Sequence, residues 1–212
     1  MSNRDQRWHG ALTLTLLAAG CAALVAGVYS VAEPRLADNL EKERMARYAA
    51  VLRGTRYDTI AKQALRIDDD AGTDSARAAV RVYGVFDRGE LTAMLIETTS
   101  VGYAGAIDLV VGVDRELSVL GVRVLRHRET PGIGDFIDAQ RTDWIRQFEQ
   151  QSIDTGAYQT WRLTSDGGRF DAVSGATVTA RAVVRGVRDA LTLLAQSAAR
   201  PTLSTAERAD DD

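Results

Sequence analysis

Between Gly10 and Ala32 the chain runs for 23 residues with no ionisable side chain except Cys21 and Tyr29. Coiled as a helix, that run is about 34 Å long, enough to cross a hydrocarbon core of about 30 Å. Trp8 and Tyr29 stand near its two ends, where amphipathic rings favour the boundary between lipid and water. Arg4 and Arg7 precede the run, whereas Glu33, Asp38, Glu41 and Glu43 follow it, mixed with Arg35, Lys42 and Arg44. Cationic residues favour the cytoplasmic side, so the sequence predicts a cytoplasmic amino terminus, one transmembrane helix and an exported remainder.

Two other readings of this segment lead to the same export. Ser30-Val31-Ala32 resembles a signal-peptidase site, which would make the run a cleaved signal; its length exceeds the usual signal core and favours a retained anchor. Leu17-Ala18-Ala19-Gly20-Cys21 loosely resembles a lipoprotein processing site, but Ala18 stands where a larger aliphatic residue is commoner. A small apolar residue is the simpler role for Cys21.

Charge and composition exclude several classes for the exported part. Of 212 residues, 26 are Lys or Arg and 29 are Asp or Glu, a net charge of −3, without the basic excess of a nucleic-acid binder. A single cysteine forbids an internal disulfide, and His9 and His127 are the only histidines, so a Cys/His zinc site is excluded.

Pro34 is expected to end the membrane helix. Beyond it Leu36, Leu40, Met45, Tyr48 and Leu52 suggest a short amphipathic juxtamembrane helix, and Asp68–Ser75 an acidic solvated loop. From about residue 79 the pattern becomes β-rich. Val80–Phe86 and Leu91–Thr98 read as strands joined by Asp87-Arg88-Gly89-Glu90, and Ile107–Val113 and Val119–Leu125 as a second hairpin. Helices fit Phe136–Gln150 and Val178–Ala195, the latter packing through Val183, Val184, Val187, Leu191 and Leu194. Neighbouring strands with few helices between them predict an α+β domain around an antiparallel sheet with flanking helices. The expected divisions are 1–32, cytoplasmic end and membrane helix; 33–78, juxtamembrane helix and loop; 79–197, the folded domain; and 198–212, a disordered tail.

Three clusters of small residues carry the chemistry. Gly102-Tyr103-Ala104-Gly105-Ala106 precedes a strand and by itself reads as a turn. In His127-Arg128-Glu129-Thr130-Pro131-Gly132-Ile133-Gly134, the Pro-Gly pair suits a type II turn. His127 and Glu129, two residues apart, would share a face at a strand end, and Asp135 could cap a helix. Asp171-Ala172-Val173-Ser174-Gly175-Ala176-Thr177 runs into a helix, where Ser174 or Thr177 could serve as a cap. The same geometry also suits a phosphate group, because a helix N-terminus presents unpaired N–H groups. The spacing alone does not choose between cap and acceptor.

GYAGAIDLVVGVD at Gly102–Asp114, GVRVLRHRETPGIGD at Gly121–Asp135, TDWIRQF at Thr142–Phe148 and FDAVSGATVTARAVV at Phe170–Val184 together resemble the G subunits of the Rnf ion-translocating electron-transport complex. These belong with the FMN-binding domain family, shared by the C subunit of the sodium-pumping NADH:quinone reductase. The resemblance runs from the membrane helix to about Arg188. It implies FMN joined by a flavin transferase, through its phosphate, to Thr177, with Asp171, Ser174, Gly175 and Ala176 completing the flavinylation motif. It further implies that His127, Glu129, Thr130, Gly132 and Gly134 lie near the flavin, with Tyr103 from the first cluster. On this reading the chain is an electron carrier, not catalytic alone, in a complex coupling NAD and ferredoxin redox chemistry to ion export. Iron–sulfur and multispan membrane subunits would be its partners. The chain would sit in the cell inner membrane as a single-pass protein with its flavin domain in the periplasm. The quinone-reductase C subunit and an anchored, non-redox binding module are the alternatives. Thr179 is expected to turn away from the pocket and to bond the local backbone.

Overall fold

The computed structural model describes residues 3–61, 65–67, 80–153 and 157–198; side chains of 3–14, 28, 30–38, 65–67, 157 and 197–198 are outside the described set. The chain divides into two compact units, Met1–Met45 and Ala46–Asp212.

The described residues of the first unit lie within a single helix, α1 (Asn3–Val51), whose backbone continues past Pro34. The expected helix end at Pro34 is therefore corrected. An interior proline costs about 3 kcal/mol, but Arg35–Val51 is rich in Ala, Leu, Glu, Lys and Arg, which favour continued helix. Nor is the segment after Pro34 amphipathic throughout: Leu40 and Met45 are exposed, Tyr48 and Leu52 are buried, and the side chain of Leu36 lies outside the described set. Among the described residues no helix is long and apolar enough to cross a membrane. The run Gly10–Ala32 is helical in its backbone, and many of its side chains, including those of 10–14 and 30–32, lie outside the described set.

The second unit is an α+β fold. Strands β1 (Thr59–Ile60), β2 (Leu65–Ile67), β3 (Val80–Asp87), β4 (Glu90–Val101), β5 (Ala106–Asp114) and β6 (Val119–Arg126) form one sheet in the order β1-β3-β4-β5-β6. Every pairing is antiparallel, and β1 and β2 pair successively with β3. The four long strands lie where the sequence predicts them. Arg88 at φ 51° and Gly89 at φ 82° give the β3–β4 connection the two positive φ angles that match the twist of a tight hairpin.

Alternation along the strands buries both faces. Val80, Val82, Ile96, Ile107, Leu109, Val111, Val122 and Val124 share one core with α2 (Thr177–Ala198). The helix contributes Ala180, Val183, Val184, Val187, Leu191 and Leu194, every one of the predicted packing residues among them. On the other face Tyr83, Val85, Ala93, Leu95 and Val110 pack against Tyr48, Val51 and Leu52 at the end of α1. That contact is fastened by a buried carboxylate: Glu97 accepts from the Tyr48 hydroxyl at 2.7 Å and from the Tyr83 hydroxyl at 3.3 Å.

The predicted helix Phe136–Gln150 is not formed. Two 3₁₀ turns, Asp135–Ile137 and Trp144–Phe148, take its place. Side chains between them compete for the backbone: Asp138 accepts from the Gln140 N–H and Thr142 from the Trp144 N–H, while the Thr142 hydroxyl donates to the Phe136 carbonyl. Such local bonds offer the chain an alternative to the helical ladder. The apolar residues of that stretch still pack, for Phe136, Trp144, Phe148, Trp161 and Phe170 form a chain of ring contacts with centroids 4.6–6.2 Å apart. The acidic loop 68–75 and residues 199–212 lie outside the described residues.

Candidate functional site

Glu129 ties the first two small-residue clusters to the first turn of α2, just past the third. Strand β6 ends at Arg126, so His127 and Glu129 follow it in a loop rather than on a strand. The Glu129 side chain turns inward and is 4% exposed. One carboxylate oxygen, Oε1, accepts from the Ala104 N–H at 3.0 Å, and the other, Oε2, from the Thr179 hydroxyl. The neighbouring glycines make room for it. A Cβ on Gly102 would stand 2.5 Å from Glu129 Oε1, and one on Gly134 would stand 2.7 Å from Glu129 Cβ. A buried carboxylate needs donors on both oxygens, and here the first cluster supplies one through Ala104 and the first turn of α2 the other through Thr179.

In the second cluster the Pro131-Gly132 turn forms as the sequence predicts, whereas the shared strand face of His127 and Glu129 and the cap at Asp135 do not. The Ile133 N–H donates to the Thr130 carbonyl at 3.1 Å, closing a turn around Pro131 and Gly132, and Gly132 has the positive φ, 78°, that a type II turn requires. The Gly134 N–H also reaches Thr130 O, at 2.8 Å. Asp135 accepts from the Gly132 N–H at 2.8 Å, so its carboxylate serves this turn while Gly134 takes the cap position of the 3₁₀ turn. His127 is half-buried, and its Nδ1 accepts from the Glu129 N–H at 3.2 Å.

The third cluster turns into α2. The Ala176 N–H donates to Val173 O at 3.1 Å, with Gly175 at φ 80°, and α2 begins at the next residue, Thr177. Ser174 and Gly175 are exposed, Thr177 is half-buried and Ala176 is buried. A Cβ on Gly175 would meet nothing within 4 Å, so the approach to the helix start is open. The Thr177 hydroxyl has a long contact, 3.4 Å, to Val173 O. Asp171 is exposed and held by its backbone: its N–H donates to Gln147 Oε1 at 2.7 Å and its carbonyl accepts from Trp144 Nε1 at 2.9 Å.

Thr179 requires a correction. It does not bond the local backbone but lies 2% exposed against Glu129. Helical geometry explains this. Thr179 stands three residues after Ala176 and four before Val183, on the buried stripe of α2. A polar residue on that apolar stripe was the available signal for a buried partner.

Exposed apolar side chains stand around the hub. Tyr103, Ile133 and Val178 are 75%, 56% and 48% exposed, and Tyr103 and Val178 are chain neighbours of residues that bond Glu129. They offer apolar surface beside a helix N-terminus, whose first N–H groups have no intrahelical acceptor and favour an anion. Near Asp171, the buried Nε2 of Gln147 has no hydrogen-bond partner among the described residues.

The FMN-binding domain family matches residues 102–192, which hold this hub and the helix start. Similarity extends well beyond it. The G subunit of the ion-translocating oxidoreductase complex of Yersinia pestis is 39% identical over 188 residues, 88% of this chain and 89% of the relative. The proteins of the same name from Vibrio vulnificus (strain YJ016) and Pasteurella multocida (strain Pm70) are 36% and 37% identical, covering 84% and 87% of this chain and 84% and 92% of the relatives. The chain belongs to the family of ion-translocating oxidoreductase complex G subunits.

Proposed function

We propose that the chain is the electron-relay subunit of a membrane-bound, Rnf-type ion-translocating oxidoreductase complex, carrying FMN in phosphoester linkage to Thr177. Thr177 opening α2 behind the exposed Ser174-Gly175 turn is the observation that carries the assignment. There a phosphate would meet free N–H groups and the positive end of the helix dipole. FMN supplies the reversible electron transfer; the protein supplies position and electrostatic tuning. Thr177 is then modified once, by a flavin transferase, and serves as a tether during turnover. Tyr103, Thr130, Gly132, Ile133 and Val178 border the ring, and Glu129 keeps their loops in register. The complex couples NAD and ferredoxin redox chemistry to ion export, with other subunits supplying the iron–sulfur groups and the ion path. Gly10–Ala32 anchors the chain in the inner membrane, amino terminus in the cytoplasm and flavin domain outside.

The test is flavin fluorescence of the full chain on a denaturing gel, followed by mass spectrometry of its peptides. A fluorescent band and a flavin-bearing peptide containing Thr177 are expected. A chain expressed with its flavin transferase that remains dark would refute the covalent relay and leave a binding module with a simple helix cap.

A further inference from the structure

A cavity of about 340 Å³ opens beside α2, lined by none of the residues of the glutamate hub. Four arginines line it, Arg162, Arg181, Arg185 and Arg188, with Asp166 the only carboxylate among the described lining residues. Trp161, Leu163 and Val184 supply its apolar walls. Arg181, Arg185 and Arg188 follow one another at intervals of four and three residues, a spacing that sets like charges side by side on a helix and disfavours it.

Two of these side chains are fixed in place. Asp166 binds Arg181 through Nε and NH2 at 2.8 and 2.9 Å. The Arg181 hydrogen bond holds the Asp166 carboxyl below its ordinary range and raises the guanidinium in turn. Arg188 bonds the Asp189 carboxylate at 2.8 Å and lies 4.5 Å from the centre of the Tyr158 ring. Arg162 has one neutral contact, to Gln159 at 3.3 Å. Arg185 is exposed and has no hydrogen bond or ion pair among the described residues. Arg162 also acts electrostatically on Asp166, while the Arg185 guanidinium is open to an anion.

We infer that this cavity is an oxyanion site, separate from the proposed tether at Thr177, which takes a phosphate ester between Arg185 and Arg162. The guanidinium fork matches phosphate geometry, and the volume admits a small phosphorylated molecule or a lipid headgroup.

Pyrophosphate titrated into the purified full chain by calorimetry tests the site. Saturable one-to-one binding that weakens with salt is expected. Losing one charged donor corresponds to affinity lower by about ten- to a hundredfold in Arg185→Gln and Arg162→Gln, while Arg115→Gln, at an exposed hairpin position, leaves it unchanged. Absence of saturation, or equal weakening in the Arg115 variant, would overturn the proposal. Because Arg162 and Arg185 are exposed, all three variants should unfold at the same temperature as the parent. Competition by phosphatidylglycerol vesicles, but not by phosphatidylcholine vesicles, would support the site and identify a headgroup as the ligand. Competition by glycerol phosphate alone would support it with a free ester. Flavin attachment at Thr177 is read separately, so failure here leaves the relay assignment standing.

Discussion

Thr177 and Thr179 lie two residues apart yet face different surroundings, and substitution separates the roles proposed for them. Consecutive helical residues rotate by about 100°, so the two hydroxyls point about 200° apart, one to the open helix start and the other to Glu129. Thr177→Val removes the proposed acceptor and only a 3.4 Å contact. Covalent flavin should disappear while stability to urea changes by less than about 0.5 kcal/mol. Thr179→Val should do the reverse. It leaves Oε2 of buried Glu129 without its donor, a loss of about 1–3 kcal/mol, while the flavin peptide remains. A labelled peptide in the Thr177→Val protein would overturn the tether. At Glu129, Gln is expected to be milder than Ala, because an amide can donate to the Thr179 oxygen while its carbonyl still accepts from Ala104. The position of Asp166 makes a pH prediction. Its carboxyl is held low by the Arg181 hydrogen bond, so the bridge is fully present above the ordinary Asp value of about 3.9 and is lost as pH falls through the lowered one. In Arg181→Gln, carboxyl NMR should find Asp166 titrating nearer the ordinary value; an unchanged midpoint would contradict the bridge.

Among the elements, the end of α1 meets the sheet where side chains are absent. A Cβ on Gly112 of β5 would stand 2.3 Å from Val51 Cγ1, and one on Gly121 of β6 would stand 3.1 Å from the Val51 carbonyl. Gly112→Ala should therefore cost about 1–3 kcal/mol by overpacking, and Val51→Ala about 2 kcal/mol by leaving a cavity. In the double variant the new methyl occupies space that Val51 vacates, so unfolding in urea should show a total below the sum of the single effects. Strict additivity would mean that the two residues do not share that space. The long strands and α2 were legible because period-two and helical patterns survive in Val80–Phe86 and Val183–Leu194. At two and three residues, β1 and β2 are too short to show a period. The stretch Phe136–Gln150 carries apolar residues that suit a helix, but the side-chain bonds of Asp138 and Thr142 act below the resolution of periodicity. The candidate site divides in the same way. Pro131-Gly132 and Ser174-Gly175 announce their turns locally, whereas Glu129 meets partners 25 and 50 residues away in sequence. No pattern of spacing reveals such a convergence.

For the whole molecule, the second unit, Ala46–Asp212, holds the sheet, the glutamate hub and the candidate tether. The proposed anchor, Gly10–Ala32, lies in the other unit. In the proposed topology, that separation makes the side on which the folded domain stands a question of flanking charge rather than of folding. Two arginines lie within six residues before Gly10, whereas acids and bases alternate after Ala32, and the cationic flank is the one retained in the cytoplasm. A reporter active only outside the cytoplasm, fused after Asp212, should therefore be active. The mature chain should begin at Met1 or Ser2, since the apolar run is longer than a signal core needs to be. Replacing both Arg4 and Arg7 with Glu removes the retaining charge and should lower the reporter's activity severalfold at equal expression. Mass spectrometry of the same fusion distinguishes an anchor from a signal: a chain starting at Glu33 would mean that export ends in cleavage at Ala32. An inactive reporter on an intact chain would place the flavin domain in the cytoplasm and reverse the proposed orientation.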